Sequence, residues 1–267
     1  MRATRKTIQS SLQTLSLLAC ALMLSACGKD AETPAPATAP QLEAAPAATA
    51  TPVPTVTAKR VVDQLITAET IGMNLADVDK LAGPSVHSVR SADHRHLYRA
   101  NGCEVTLRTD EADKVVQAVE VAIAPSCKVS LAPLLGGYAG TPPMQLNELT
   151  FGKLEGTLGG GYYADCLASC GNAADPVATL YIEGPRALQL MEFVLEVPLV
   201  SGPALDAADQ WKQAMEKAES ENYVVDNRFN CESERFRDVA AKAFSPVKPV
   251  NFVFGRGLAY GTDDCQG

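Results

Sequence analysis

The feature that most constrains the fold is a run of alternating residues on both sides of Asn101-Gly102. Asn-Gly is the strongest two-residue signal for a tight β-hairpin, because both residues tolerate the positive φ angles of the turn. Apolar and polar residues alternate over 103–108, and valines line one face of 114–124. Such alternation is typical of strands with one buried face. The sequence therefore predicts an antiparallel meander in this region.

Two helices are predicted ahead of this meander. The first is an apolar-rich helix near 61–70. Asn74 can cap the second, Asp77 can complete a capping box, and Gly83-Pro84 would end the helix. This order of helix, helix and meander predicts an α+β fold, in which helices pack on one face of an antiparallel sheet.

The second half of the chain repeats this order more loosely. The segment 151–159 is similar to 71–83, and 177–183 and 188–199 are predicted to form a strand pair. We therefore expect two tandem related modules. Their expected boundaries are 59–135 and 136–267.

Two longer helices and two short strands are predicted near the C-terminus. A helical stripe over 206–219 includes Trp211, and Asn230 can cap a further helix over 231–243. The predicted short strands are 223–225 and 250–254.

The first 27 residues have the pattern of an export signal. A cationic start and an apolar run from Leu15 to Leu24 are typical of secretion signals, and the run is too short to span a membrane. The following Leu24-Ser25-Ala26-Cys27 resembles the bacterial lipobox. This resemblance implies removal of 1–26 and lipidation of Cys27, with Gly28 in place of aspartate favouring the outer membrane, facing the periplasm. An ordinary signal peptide cut at a small-residue site is the alternative.

Residues 27–58 are predicted to form a lipidated cysteine followed by a disordered tether. Alanine, threonine and six prolines dominate 28–58, a composition that disfavours regular hydrogen-bonded structure. Removal of 1–26, which carries three cations and no acid, changes the net charge from −8 to −11. This acidity excludes a general nucleic-acid binder, which needs clustered positive charge.

Six cysteines remain after the signal and the lipidated residue. An even number in an exported chain predicts three disulfides, although six cysteines allow fifteen connectivities. Local spacing favours pairing neighbours along the chain, and the Cys-x-x-x-Cys spacing is a poor one for zinc. The favoured pairs are Cys103 with Cys127, Cys166 with Cys170, and by elimination Cys231 with Cys265.

The sequence carries no motif that predicts catalysis. It has no Gly-x-Ser-x-Gly nucleophile motif, and Ser85 and Ser88 beside His87 lack a supporting pattern. His94 and His96 would share one strand face and offer two metal ligands, but a solvated strand end is the simpler interpretation. We therefore expect no enzyme, no cofactor and no metal.

The segment IGMNLADVDKLAGPS, followed by YRANGCEVTL, resembles small outer-membrane assembly lipoproteins of the SmpA/BamE type. It is also similar to the tandem modules of the β-lactamase inhibitor protein. The likeness covers roughly 60–125, and it implies two helices on one face of a short antiparallel sheet. Ala82 stands where the pattern has leucine, and the second half has no counterpart in the single-module assembly proteins. The two-module inhibitor is closer in length.

These observations predict a membrane-tethered periplasmic lipoprotein that binds another protein. The expected role is that of an inhibitor or immunity protein that occludes a cationic toxin or cell-wall hydrolase, since an acidic chain attracts a basic partner. The alternative is an envelope-assembly accessory of the BamE type. Loop aromatics are the candidates for filling a partner's groove. They are Tyr138, Tyr162 and Tyr163.

Overall fold

An eight-stranded antiparallel sheet runs through the part of the chain that the structure describes. In this computed structural model that part comprises 60–90, 94–135, 143–171, 174–184 and 190–258, all within the unit Thr55–Gly267. The strands are β1 (His87–Arg90), β2 (His94–Ala100), β3 (Cys103–Thr109), β4 (Val116–Ala122), β5 (Gly161–Ala164), β6 (Val177–Glu183), β7 (Glu192–Pro198) and β8 (Asn251–Gly255).

The helices of the described residues come in three groups along the chain. Two precede β1, two precede β5, and four lie between β7 and β8. They are α1 (Val61–Leu65), α2 (Leu75–Ala82), α3 (Ala132–Leu135), α4 (Phe151–Leu158), α5 (Gly202–Ala218), α6 (Glu221–Val225), α7 (Arg228–Cys231) and α8 (Arg237–Phe244).

The predicted start of the folded part is confirmed with small changes. The helix expected near 61–70 is α1 followed by a separate 3₁₀ turn, Ala68–Thr70. The Asn74 Oδ1 atom accepts a hydrogen bond from the Ala76 backbone N–H at 3.0 Å, so Asn74 caps α2 as predicted. Asp77 bonds to Lys80 at 2.7 Å instead of completing a capping box.

The predicted hairpin is also confirmed. Asn101 has a φ angle of 53° and Gly102 one of 80°, as a tight turn between β2 and β3 requires. Ala100 pairs with Cys103 directly across that turn. A Cβ atom on Gly102 would lie 3.0 Å from the Ser126 backbone oxygen, so this position needs glycine on two grounds.

The sheet order is β1-β2-β3-β4-β8-β7-β6-β5, and every adjacent pair is antiparallel. The α+β prediction is therefore confirmed. Strand β8 returns after four helices to fill the centre, between β4 and β7. The described residues thus share one continuous sheet, and the division into two tandem modules stays a prediction.

Two assignments near the C-terminus are wrong. Residues 223–225 form part of α6, capped by the Ser220 hydroxyl, because three apolar residues cannot distinguish a strand from a helical turn. The helix expected over 231–243 is replaced by α7 and α8. Asn230 does not cap it; its side chain bonds to both the N–H and the C=O of Ala164, at 3.1 and 2.9 Å.

One apolar core lies between the sheet and the helices. Aromatic rings fill it where α4, α5, α8 and β5 meet: Phe244 lies 5.7 Å from Phe151, 5.9 Å from Tyr162 and 6.3 Å from Trp211 between ring centroids. All four side chains are buried. Burial of such large rings is the main force that attaches the helices to the sheet.

Two of the three predicted disulfides lie in the described chain, and both are confirmed. Cys103 bonds to Cys127, and Cys166 bonds to Cys170. Cys231 is also disulfide-bonded, while its predicted partner, Cys265, lies outside the described residues. The predicted signal 1–26, the lipidation residue Cys27 and the tether 28–58 lie outside them as well.

Candidate functional site

The two faces of the sheet differ in what covers them. In the described chain, every helix residue with a buried apolar side chain belongs to the core on one face. On the other face a small cluster of Ala118, Val194, Val253 and Leu258 packs beside Tyr181. We call this second side the open face. Polar side chains of the described strands surround the small cluster there: Arg95, Arg99, Glu104, Thr106, Arg108, Glu120, Tyr163, Thr179, Glu183, Glu192, Glu196 and Asn251.

Two ion pairs lie at the β2–β4 end of the open face. The Arg99 guanidinium lies 2.6 Å from a Glu104 carboxylate oxygen. Arg95 lies 3.7 Å from Glu120. Four charged side chains at this end therefore already have partners of opposite sign. Arg108 lies directly opposite Arg95, and its Nε atom is buried without a hydrogen-bond partner in the described chain.

The charges at the β5–β7 end of the open face differ from those at the β2–β4 end. Glu183 of β6 lies directly opposite Glu192 of β7. None of the ion pairs among the described residues includes Glu183. Glu192 accepts a hydrogen bond from the Leu258 backbone N–H. Directly opposed like charges are unfavourable, so this pair favours a cation nearby.

Two tyrosines lie beside these carboxylates. We define the acidic corner as Tyr163, Tyr181, Glu183 and Glu192. Burial raises the pKa of Tyr181 to about 12, and the negative charges of Glu192 and Glu183 add to that effect. The raised pKa thus reflects a phenol that is partly buried, with a smaller effect from the two carboxylates beside it.

A cavity of about 290 Å³ opens beside the acidic corner. Its lining includes Tyr163, Tyr181, Glu183 and Arg237. The Arg237 guanidinium pairs with Glu155 and donates a hydrogen bond to the Gly160 carbonyl oxygen at 2.7 Å, so its charge is already engaged. The cavity therefore offers aromatic rings and a carboxylate, the groups that bind a Lys or Arg side chain.

The three predicted partner-binding tyrosines have different outcomes. Tyr163 lies on β5 with its side chain on the open face, half-buried, within the acidic corner. Tyr162 is fully buried against Phe151 and Phe244, so the prediction that it contacts a partner is wrong. The reason is strand alternation, which points neighbouring residues to opposite faces. Tyr138 lies outside the described residues.

Glu183, Glu192 and Tyr181 were not among the predicted site residues. The alternation of the two predicted strands places polar residues on one face, and this signal was present in the sequence. The two glutamates face each other because β6 pairs with β7 in one particular register. The sequence alone does not give that register.

The histidines form no metal site in the described chain. No group of three or more His, Cys, Asp or Glu side chains there is placed to hold a metal ion. His96 is instead buried between two polar partners: its Nδ1 lies 3.0 Å from the Ser88 hydroxyl and its Nε2 lies 2.6 Å from Asp113. His94 does not share this arrangement, and its Nδ1 atom is buried without a hydrogen-bond partner.

No helix in the described residues is long and apolar enough to cross a membrane. The chain matches no protein-family model, no curated protein and no solved structure.

Proposed function

We propose that this chain is a membrane-tethered periplasmic lipoprotein that binds a basic protein through the acidic corner. In this role it acts as an inhibitor or immunity protein, occluding a cationic toxin or cell-wall hydrolase. The observation that carries the proposal is the opposed pair Glu183 and Glu192 beside Tyr163 and Tyr181. The resemblance of the first half to the β-lactamase inhibitor modules agrees with it.

The chemistry of the corner supports a cationic side chain as the group recognised. A Lys or Arg placed between Glu183 and Glu192 replaces a repulsion by two attractions. The rings of Tyr163 and Tyr181 add a cation–π contact, and tyrosine is among the residues that contribute most to protein interfaces. The net charge of −8 on the whole chain attracts a basic partner from a distance.

The position of the protein in the cell rests on its sequence. A lipid on Cys27 and a proline-rich segment over 28–58 would hold the folded part some distance from the outer membrane, within reach of periplasmic enzymes. Incorporation of labelled palmitate into the protein tests this part. Loss of the label in Cys27→Ser is expected, and retention would contradict it.

Binding is tested by capture from an envelope extract on immobilised protein, followed by an inhibition assay with the purified captured enzyme. A basic hydrolase or toxin that is released at high salt and inhibited on rebinding is the expected result. Capture of barrel-assembly components without any inhibited enzyme would instead support the assembly-accessory alternative and overturn this proposal.

Two double variants with the same charge change locate the binding surface. Glu183→Gln with Glu192→Gln removes the opposed acids and is expected to raise the Kd about tenfold or more. The control, Asp206→Asn with Glu221→Gln, alters two exposed acids on α5 and α6. It is expected to change the Kd about twofold or less, because exposed charges away from an interface act only at long range. Equal losses in both variants would refute the acidic corner as the interface.

A further inference from the structure

Three side chains at the β1 edge of the sheet form a continuous hydrogen-bonded chain. Ser88 on β1 is the direct cross-strand neighbour of His96 on β2. The Ser88 Oγ atom lies 3.0 Å from His96 Nδ1, and His96 Nε2 lies 2.6 Å from Asp113 Oδ1. Hydroxyl, imidazole and carboxylate thus follow one another in the order that activates a serine nucleophile.

The ionisation of the Asp113 carboxylate determines which ring nitrogen of His96 carries the proton. The Thr109 hydroxyl donates to Asp113 Oδ1 at 2.8 Å, and Arg90 Nε donates to Oδ2 at 3.1 Å. The hydrogen bonds from His96 and Thr109 lower the pKa of Asp113 to about 2, so the carboxylate is ionised at neutral pH. It therefore accepts the proton on Nε2, which leaves a lone pair on Nδ1 for the Ser88 hydroxyl proton.

The base is buried, whereas the nucleophile is exposed. The His96 side chain is only 4% exposed and that of Asp113 is 17% exposed, whereas Ser88, like the other residues of β1, is exposed. The base is therefore held in a fixed orientation away from water, while the hydroxyl can be reached by a reactant. Because β1 is an edge strand of the described sheet, it also presents unpaired backbone N–H groups to solvent.

We propose that Ser88, His96 and Asp113 form an acyl-transfer centre that cleaves esters of short acyl groups. Val86, two residues before Ser88 in the chain and exposed, offers apolar surface near the serine to such an acyl group. The centre involves none of the residues of the acidic corner and does not depend on the proposed function.

The reaction balances with water as the only co-reactant. Ser88 Oγ attacks the ester carbonyl carbon while its proton passes to His96 Nδ1. The bond to the leaving alcohol breaks, and that alcohol takes the proton from Nδ1. Water then attacks the acyl carbon, again giving its proton to Nδ1. The bond between that carbon and Ser88 Oγ breaks, Nδ1 returns the proton to Oγ, and the acid leaves. The two ring nitrogens exchange the roles they have in serine proteases, where Nε2 faces the serine.

The test is covalent labelling of the full-length purified protein with an alkyl fluorophosphonate. Ser88 Oγ would displace fluoride from phosphorus, and peptide mass spectrometry would locate the adduct. We expect one adduct, on Ser88, abolished in Ser88→Ala and retained in Ser85→Ala. The second variant is a matched control, because the Ser85 hydroxyl lies 2.8 Å from that of Ser88 without touching the imidazole.

Asp113→Asn tests the role of the carboxylate in the same assay. Labelling and p-nitrophenyl acetate hydrolysis are expected to slow about a hundredfold, since an oriented base contributes about that much. An unchanged near-ultraviolet circular dichroism spectrum establishes that this variant is folded. Absence of an adduct on wild-type Ser88, an adduct that persists in Ser88→Ala, or an unchanged rate in folded Asp113→Asn would each overturn the proposal.

Discussion

The two disulfides of the described chain close loops of very different length. Cys103 and Cys127 are 24 residues apart, whereas Cys166 and Cys170 are four apart. A disulfide stabilises a fold largely by restricting the unfolded chain, and this effect grows with the logarithm of loop length. Replacing each pair by alanines should therefore destabilise the protein by different amounts.

The chain-entropy relation gives the expected sizes. It predicts a loss of about 3.5 kcal/mol for Cys103→Ala with Cys127→Ala, and about 1.9 kcal/mol for Cys166→Ala with Cys170→Ala. Burial also makes the loss of stability larger for the first pair, because Cys103 and Cys127 are 2% and 0% exposed while Cys170 is exposed. The longer loop should thus cost about 1.6 kcal/mol more, before any packing loss is added.

The assay is denaturant unfolding followed by tryptophan fluorescence. Trp211 is the single tryptophan of the chain and is 1% exposed, so its emission reports on the packed core. Midpoints and slopes are compared for wild type and the two double variants, with intact mass establishing that the remaining disulfides are formed. An equal loss in both variants, or a larger loss at the short loop, would refute the reasoning.

Three further outcomes are expected. Phe244→Ala should lower the free energy of unfolding by about 3–5 kcal/mol in denaturant titrations, because its buried ring contacts three other aromatic rings; a loss below about 1 kcal/mol would contradict the packing. Gly102→Ala should be destabilising in the same titrations, because its φ is 80° and the Ser126 oxygen would lie 3.0 Å from the new Cβ; an unchanged midpoint would count against this turn. The Asp113 contribution, at most about 2 kcal/mol, is present above pH 3.8 and lost as pH falls towards 2, so acid titration should destabilise wild type more than Asp113→Asn; parallel acid curves would exclude it.

Local patterns were sufficient for the elements that depend on neighbouring residues. The Asn101-Gly102 hairpin, the Asn74 cap and the strands around 103–108 and 177–183 follow from turn geometry, capping chemistry and alternation. Each involves contacts between residues a few positions apart, so the local sequence determines how stable these elements are. Local spacing also favoured the two disulfides found in the described chain.

Local patterns failed where distant contacts outweigh local preference. Asn230 has a good capping side chain, but its amide bonds to Ala164, 66 residues away, and the helix predicted to begin at Cys231 does not begin there. Tyr162 and Tyr163 are equally plausible surface aromatics in the sequence, yet one is buried in the core and the other lies on the open face. Which of the two tyrosines is buried depends on how β5 packs against the helices.

The sequence by itself determined the fold class, the hairpin and the principal strands, because short-range geometry specifies them, and it favoured the pairing of the nearby cysteines. Only the tertiary structure decided that β8 fills the centre of one continuous sheet, and that Glu183 faces Glu192 across two strands. It alone brought Ser88, His96 and Asp113 into one hydrogen-bonded chain. These arrangements depend on strand order and register, which are set by burying the apolar face of the whole sheet at once rather than by any local segment.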